Sequence, residues 1–240
     1  MRRRFFVSAV RNGHAGIEGE EARHLTRVLR VEPGQRYEIS DNHSVYLAEI
    51  ETARKEQVVF RTLEKLPPEQ ERVHITLAIS LIKFERFEWT IEKATELGVD
   101  EIVPVESVRS ERGLERAAAK RVDRWRKIAL ESSQQSRRAH LPDVREPESL
   151  AAALALSASC RFVLDEQPGC TPLLAAFPKN RAASDCVALL VGPEGGWTDD
   201  ERAGFAPAGW IAVSMGPLIL RAETAAVAAL AVIQSAWLLN

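Results

Sequence analysis

The rhythm of hydrophobic and polar residues changes near residue 70. From Arg36 to Lys65 the segments "RYEIS", "SVYLAEIE" and "QVVFRTLEK" alternate apolar with polar, and "DNH" and "ARKE" form turn-like breaks between them. A period of two over short runs predicts half-buried strands, here a small antiparallel β unit. Ahead of it, "EEARHLTRVLR" places Ala22, Leu25, Val28 and Leu29 on one helical face and Arg23, Arg27 and Arg30 on the other. Pro33-Gly34 ends that segment. "LPPEQER" (66–72) has the composition of a linker. The pattern therefore predicts a β-rich domain over 1–71 and a second domain over 72–240.

In the second stretch, strand-like and helix-like runs take turns. "VHITLAIS" (73–80) is a strongly apolar strand, and "KFERFEWTIEKATELG" carries Phe84, Phe87, Ile91, Ala94 and Leu97 at helical spacing with Gly98 as a stop. "EIVPV" is a second strand, a basic helix is expected over 116–138 with Val122, Trp125 and Ile128 inward, and "CRFVLD", "CVALLV" and "GWIAVS" supply three more strands. A last helix, Thr224 to Leu238, is apolar nearly all round, which predicts burial in the core or against a partner subunit. Alternation of this kind predicts an α/β domain with a mostly parallel sheet.

Two turns stand out in that domain. "VGPEGGWTDDE" (191–201) follows an apolar strand, yet it lacks the Lys-Ser/Thr of a P-loop and the GxGxxG dinucleotide pattern. Thr198 with Glu201 forms a capping box, so a helix starts at Asp199 and the glycines fall in a strand-to-helix turn. Open α/β sheets bind ligands at the carboxyl ends of their strands. "MGPLILRAETA" (215–225) is a second such turn, with Leu218, Ile219 and Leu220 as an aliphatic patch. Two rigid loops with few cations beside them suit an uncharged planar group such as adenine and suit a triphosphate poorly.

Composition narrows the class. With 45 % apolar and 28 % charged residues in 240, the chain reads as an ordinary globular protein. No apolar run is long enough for a bilayer, and "MRRRFFVSAV" is too short in its apolar part for a signal peptide. Cys160, Cys170 and Cys186 lack CxxC spacing and the five histidines are scattered, so reduced thiols in a cytoplasmic protein and no metal site are expected. The net charge of −2 is uninformative, but its distribution is not. Residues 1–36 hold eight Arg against four Glu, and residues 109–145 hold eleven Lys or Arg against five acids. Two basic segments on an acidic body fit a phosphate-binding surface. The plainer reading of either segment alone is a solvated face laced with ion pairs.

The two turns in this order resemble the cofactor motifs of the RsmE family, the 16S ribosomal RNA (uracil-N3)-methyltransferases of the SPOUT class. "KFERFEWTIEKATELGVDEIVPVESVRS", "RWRKIALESSQQSRR", "HLTRVLRVEPGQ" and "RRFFV" are similar to further family segments, so the likeness runs along most of the chain. It departs at Leu218, where the family usually has Arg, and at Ala222, where it usually has Thr. The resemblance implies a PUA-like RNA-binding β-barrel, then a SPOUT domain whose carboxyl-terminal segment forms a trefoil knot, a rarity that patterning never suggests. It implies S-adenosylmethionine as cofactor, held by Leu164, Asp165 and Glu166, by Val191, Gly192, Pro193, Glu194, Gly195 and Gly196, and by Met215, Gly216, Leu218, Ile219 and Leu220. In that reading Gly195 and Gly196 let the main chain close on adenine or ribose. A homodimer through the knotted domain accounts for the apolar last helix and its Trp237.

Uracil N3 carries a weakly acidic proton, so a group must accept it or steady the anion. Arg221 is the candidate for the second task, with an ion pair to Glu223 or Glu194 as its structural alternative, and Glu223 is the nearest carboxylate. Contact with 16S ribosomal RNA or the small ribosomal subunit is expected from Arg2, Arg3, Arg4, Arg23, Arg27 and Arg30 in one group and Arg109, Arg112, Arg137 and Arg138 in another. The rival readings are a SPOUT ribose 2′-O-methyltransferase and a non-enzymatic RNA-binding assembly factor; a nucleotide hydrolase is disfavoured because no Walker lysine or metal-carboxylate cluster accompanies the glycines.

Overall fold

A computed structural model describes residues 3–111 and 113–238. The chain divides into two compact units, one of residues 1–70 with 133–141, the other of 71–132 with 142–240. The return of 133–141 to the first unit has no counterpart in the linear pattern.

The first unit holds β1 (Arg4–Phe6), β2 (His14–Glu18), α1 (Gly19–Arg27), β3 (Arg36–Ser40), β4 (Val45–Arg54) and β5 (Gln57–Lys65). Its five strands lie in the order β1-β3-β4-β5-β2. β3, β4 and β5 pair antiparallel as their alternation predicts, while β1 joins β3 in parallel. Phe5, Ile17, Leu25, Ile39, Ile50 and Phe60 form the core. The helix stops at Arg27, because Val28 and Leu29 both donate to the His24 carbonyl and Arg30 turns left-handed at φ 52. Val28, expected on the buried face, therefore stands 65 % exposed.

The second unit holds β6 (His74–Ser80), α2 (Phe84–Glu96), β7 (Glu101–Glu106), α3 (Leu114–Ala118), the start of α4 (Val122–Ser136), β8 (Asp143–Val144), β9 (Glu148–Ser149), α5 (Leu150–Leu154), β10 (Cys160–Leu164), β11 (Thr171–Pro172), β12 (Cys186–Val191), α6 (Asp199–Phe205), β13 (Ile211–Ser214) and α7 (Ala222–Trp237). Its sheet runs β11-β13-β10-β12-β6-β7-β8, with β9 also on β7, and every pair is parallel. Both faces are covered, so β12 reads as an unbroken apolar run and β6 is buried from Ile75 to Ser80. The expected basic helix is broken: α3, a 3₁₀ turn at Ala119–Arg121 and α4 replace one rod.

Trp125 is fully buried and meets Phe87 at 4.6 Å and Phe84 at 6.1 Å between ring centroids. On α7, Leu230 and Ile233 are buried, each contributing about 1.5–3 kcal/mol of transfer free energy. Trp237, expected at a dimer interface, is instead 6 % exposed within its own unit, edge-on to Phe177 and donating from Nε1 to Asp185. No helix among the described residues is long and apolar enough to cross a membrane.

Candidate active site

Leu164 ends β10, Val191 ends β12 and Ser214 ends β13, and these strands are neighbours in the sheet. The loops that leave them surround a solvent-open cleft of ≈ 140 Å³. Leu164, Asp165, Glu166, Val191, Gly192, Pro193, Glu194, Gly196, Met215, Gly216, Leu218, Ile219 and Leu220 all line it. Gly195 does not, while Trp197, Ser214, Pro217, Ala222 and Ala225 do.

The loop after β12 is built around its own side chains. Trp197 is buried and its Nε1 donates to the Leu164 carbonyl at 2.9 Å, tying this loop to the end of β10. A Cβ on Gly192 would come within 2.9 Å of the Trp197 ring. One on Gly195 would meet the Arg109 side chain at 3.0 Å and its carbonyl at 3.3 Å, and one on Gly196, at φ +67, would meet Glu166 at 2.9 Å. The glycines were expected to make room for a ligand; the space they leave is taken by Trp197, Arg109 and Glu166.

Arg109 fastens the same loop, donating from Nη1 to the carbonyls of Gly195 (3.0 Å) and Trp197 (3.1 Å). Its expected place was on the RNA surface. The capping box at Thr198 and Glu201 is present, and Glu201 also accepts from the Val108 amide at 2.9 Å. Asp165, its side chain 5 % exposed, takes two bonds from Arg202 at 2.9 and 3.1 Å, and Arg202 also donates to the Trp197 carbonyl. Burial and, behind it, the Asp165 charge push the Cys170 thiol up from its ordinary pKa. Trp197, Arg202 and Arg86 escaped sequence reasoning. Trp197 had a signal, an aromatic directly after the glycines; the other two act over long separations.

The loop after β13 is different. Ser214 Oγ exchanges bonds of 3.1 Å with the Gly216 amide and carbonyl, and Leu218 and Ile219 stand 78 % and 83 % exposed. Arg221 caps α7 by its backbone, its carbonyl accepting from Ala225 at 2.8 Å. Its side chain lies on an exposed residue and has no hydrogen bond or ion pair among the described residues, so the pairing with Glu223 or Glu194 does not form. Arg86 of α2 takes both instead, donating to Glu194 at 3.0 Å and lying 3.7 Å from Glu223. Glu223 is buried, faces Arg86 and, like Arg221, is absent from the cleft lining.

The expected RNA contacts divide. Arg3, Arg23, Arg27 and Arg30 are exposed, with Arg23 on Glu56 at 3.1 Å. Arg4 is 8 % exposed and held by Glu38 and Glu69, Arg137 also reaches Glu38, and Arg138 is 9 % exposed with Nε on the His140 carbonyl. Arg4 and Arg138 are buried and Arg137 is half-buried, with Glu38 of the first unit paired to both Arg4 and Arg137. Arg2 and Arg112 lie outside the described residues. In the second basic segment Arg121 and Arg124 share Glu88, holding that carboxyl below its usual range through the Arg124 bond first, and Arg145 pairs with Glu101.

The cleft lining carries Asp165, Glu166 and Glu194 and no Lys or Arg. Asp165 and Glu194 are matched by Arg202 and Arg86, which leaves Glu166 at the rim of the aliphatic walls, an arrangement that suits a flat base joined to a cationic centre better than a polyphosphate. No group of three or more His, Cys, Asp or Glu placed to hold a metal occurs among the described residues.

The RNA methyltransferase domain family matches residues 69–234, and the RNA methyltransferase PUA domain matches 17–63. Ribosomal RNA small subunit methyltransferase E of Mycobacterium tuberculosis is 32% identical over 239 residues, 93% of this chain and 88% of that one. The crystal structure of the Neisseria gonorrhoeae ribosomal RNA small subunit methyltransferase E bound to S-adenosyl methionine superposes with a TM-score of 0.87 at 30% identity, over 99% of this chain and 98% of that one. A Legionella pneumophila structure with bound cofactor SAM gives 0.88 at 29% identity, over 98% of each chain. With sequence and fold in agreement over nearly its whole length, the chain belongs to the ribosomal RNA small subunit methyltransferase E family.

Proposed function

We propose that this protein uses S-adenosylmethionine to methylate N3 of a uridine in the 16S ribosomal RNA of the small subunit. The observation that carries the reading is the cleft at the ends of β10, β12 and β13. Leu164, Val191 and Leu220 offer it apolar walls, and Glu166 and Glu194 place carboxylates at its rim. Those residues fit the cofactor. Bound there, S-adenosylmethionine supplies a methyl group already made electrophilic by its sulfonium.

The chain's own residues then have to align the acceptor and help N3 lose its proton. Arg221, exposed at the start of α7 between the lining residues Leu220 and Ala222 and without a partner among the described residues, would steady the negative charge on the uracil oxygens as the proton leaves to water at the open mouth. Removing one such donor costs about 10²–10³ in turnover. The N3 edge is hidden in paired RNA, so the base is presented flipped out. Arg3, Arg27 and Arg30 grip phosphate, helped by Arg23, whose exposed pair with Glu56 (side chains 47% and 58% exposed) is worth only about 0–1 kcal/mol.

The same reading includes a knotted chain end, supported by the entry of β13 between β10 and β11 and the return of α7 onto α2 and β12. It includes a homodimer of the second unit, supported by the half-buried and exposed apolar rim of α7 at Val227, Ala228 and Ala231. It also sets the protein in the cytoplasm, where ribosomal RNA is.

Ribosomal RNA from a strain lacking this protein, incubated with the enzyme and S-adenosylmethionine and digested to nucleosides, is expected to yield 3-methyluridine by mass spectrometry. A methyl group on the ribose fragment would replace the base methyltransferase with a 2′-O-methyltransferase. No added methyl group, together with no heat of binding for S-adenosylmethionine, would leave a non-enzymatic assembly factor.

A further inference from the structure

Arg86 belongs to no part of the chemistry above, yet it touches both walls of the cleft. It is the third residue of α2, and its side chain is 34% exposed. Nη1 donates to Glu194 at 3.0 Å, in the loop after β12, while Nε lies 3.7 Å from Glu223 Oε1, in the first turn of α7 directly after the loop from β13. Glu223 is 9 % exposed, and its Oε2 has no hydrogen-bond partner. A buried carboxylate needs a cation or several donors. Here the compensation comes from the amino end of α7 and from Arg86.

We propose that Arg86 is a positioning residue that sets the spacing of the two loops by pairing with Glu194 on one and Glu223 on the other. Were it a surface ion pair alone, its loss would change little. The burial of Glu223 makes the difference: without Arg86 that carboxylate is left without its cation, and the start of α7 has to shift toward water and carry the second loop with it. The tie thus links the more exposed wall to the one held by its own bonds. Its consequence for the cofactor rests on the reading that the cleft takes S-adenosylmethionine; its consequence for the ligand-free loops does not.

Hydrogen exchange on the ligand-free protein tests the tie. Arg86→Gln is compared with Arg86→Lys and with the double variant Arg86→Gln/Glu223→Gln, which removes both charges and so remains foldable if the buried carboxylate alone unfolds the single variant. In the Gln variants exchange over 192–198 and 215–225 should quicken ~5-fold or more while β6 and β12 stay protected, and Lys should restore most of it. Exchange over 215–225 within about twofold of wild type in both Gln variants would overturn the proposal. In a second arm, calorimetry should show both Gln variants binding S-adenosylmethionine ~10-fold more weakly than wild type, a difference of about 1.4 kcal/mol. A wild type that binds none would sink the functional reading, while the exchange result would still decide the role of Arg86.

Discussion

The two loops that wall the cleft look alike in sequence, each with Gly and Pro after a strand, and are held in opposite ways. The loop after β12 is fastened by Trp197 to Leu164, by Arg109 to two carbonyls, by Arg202 to Asp165 and by Arg86 to Glu194. Its glycines are crowded by the protein's own atoms. The loop after β13 has the Ser214–Gly216 bonds within it, open space beside Gly216 and two aliphatic side chains in water. One wall is finished before any ligand arrives, and the other has apolar surface to cover. The difference lies in packing: the first loop is held by its own long-range bonds, and the second keeps Leu218 and Ile219 exposed.

Substitutions that break the finished wall should therefore cost stability, and substitutions in the open wall should cost function alone. Asp165→Ala leaves Arg202 only the exposed Asp199 and the Trp197 carbonyl in a site where Asp165 is 5% exposed, so a loss of about 3 kcal/mol is expected in urea unfolding. Arg221→Ala, beside the open wall, should keep the unfolding midpoint and the donor affinity while turnover falls by ~10²–10³. Turnover near wild type would remove Arg221 from the chemistry. Gly192→Ala drives a Cβ to 2.9 Å from Trp197, an overpacking of about 1–3 kcal/mol that should appear in thermal unfolding and in weaker donor binding. The smallest effect sharpens the contrast: Leu218→Ala and Ile219→Ala should move stability by no more than about 0.5 kcal/mol yet weaken donor binding measurably by calorimetry.

Much of this arrangement was legible in the residues. The alternation over 36–65, the apolar runs of β6, β10 and β12, and the capping box at Thr198 each state one local rule, and the structure obeys them. The three-residue β1 and the strands β8, β9 and β11, two residues each, are too short to carry a period. Charge was the less readable property. Counting cations along 1–36 and 109–145 could not show that Arg121 and Arg124 answer Glu88, 33 and 36 residues away, or that Arg4 is shut inside the first unit by Glu38. The glycines fall in the strand-to-helix turn their pattern predicts, and sequence shows that a Cβ is unwelcome there without showing that Trp197, Arg109 and Glu166 are what it would meet. Arg86 gives no local signal at all, because its partner Glu194 is 108 residues distant.

The claim beneath all of this is that the space between these two loops takes the methyl donor. A crystal structure with S-adenosylmethionine or its demethylated product is expected to place the adenine against Val191–Gly196 with Leu218 to Leu220 drawn over it. Donor density elsewhere on the chain, or a cleft closed by Leu218 and Ile219 with the donor absent at saturating concentration, would contradict it.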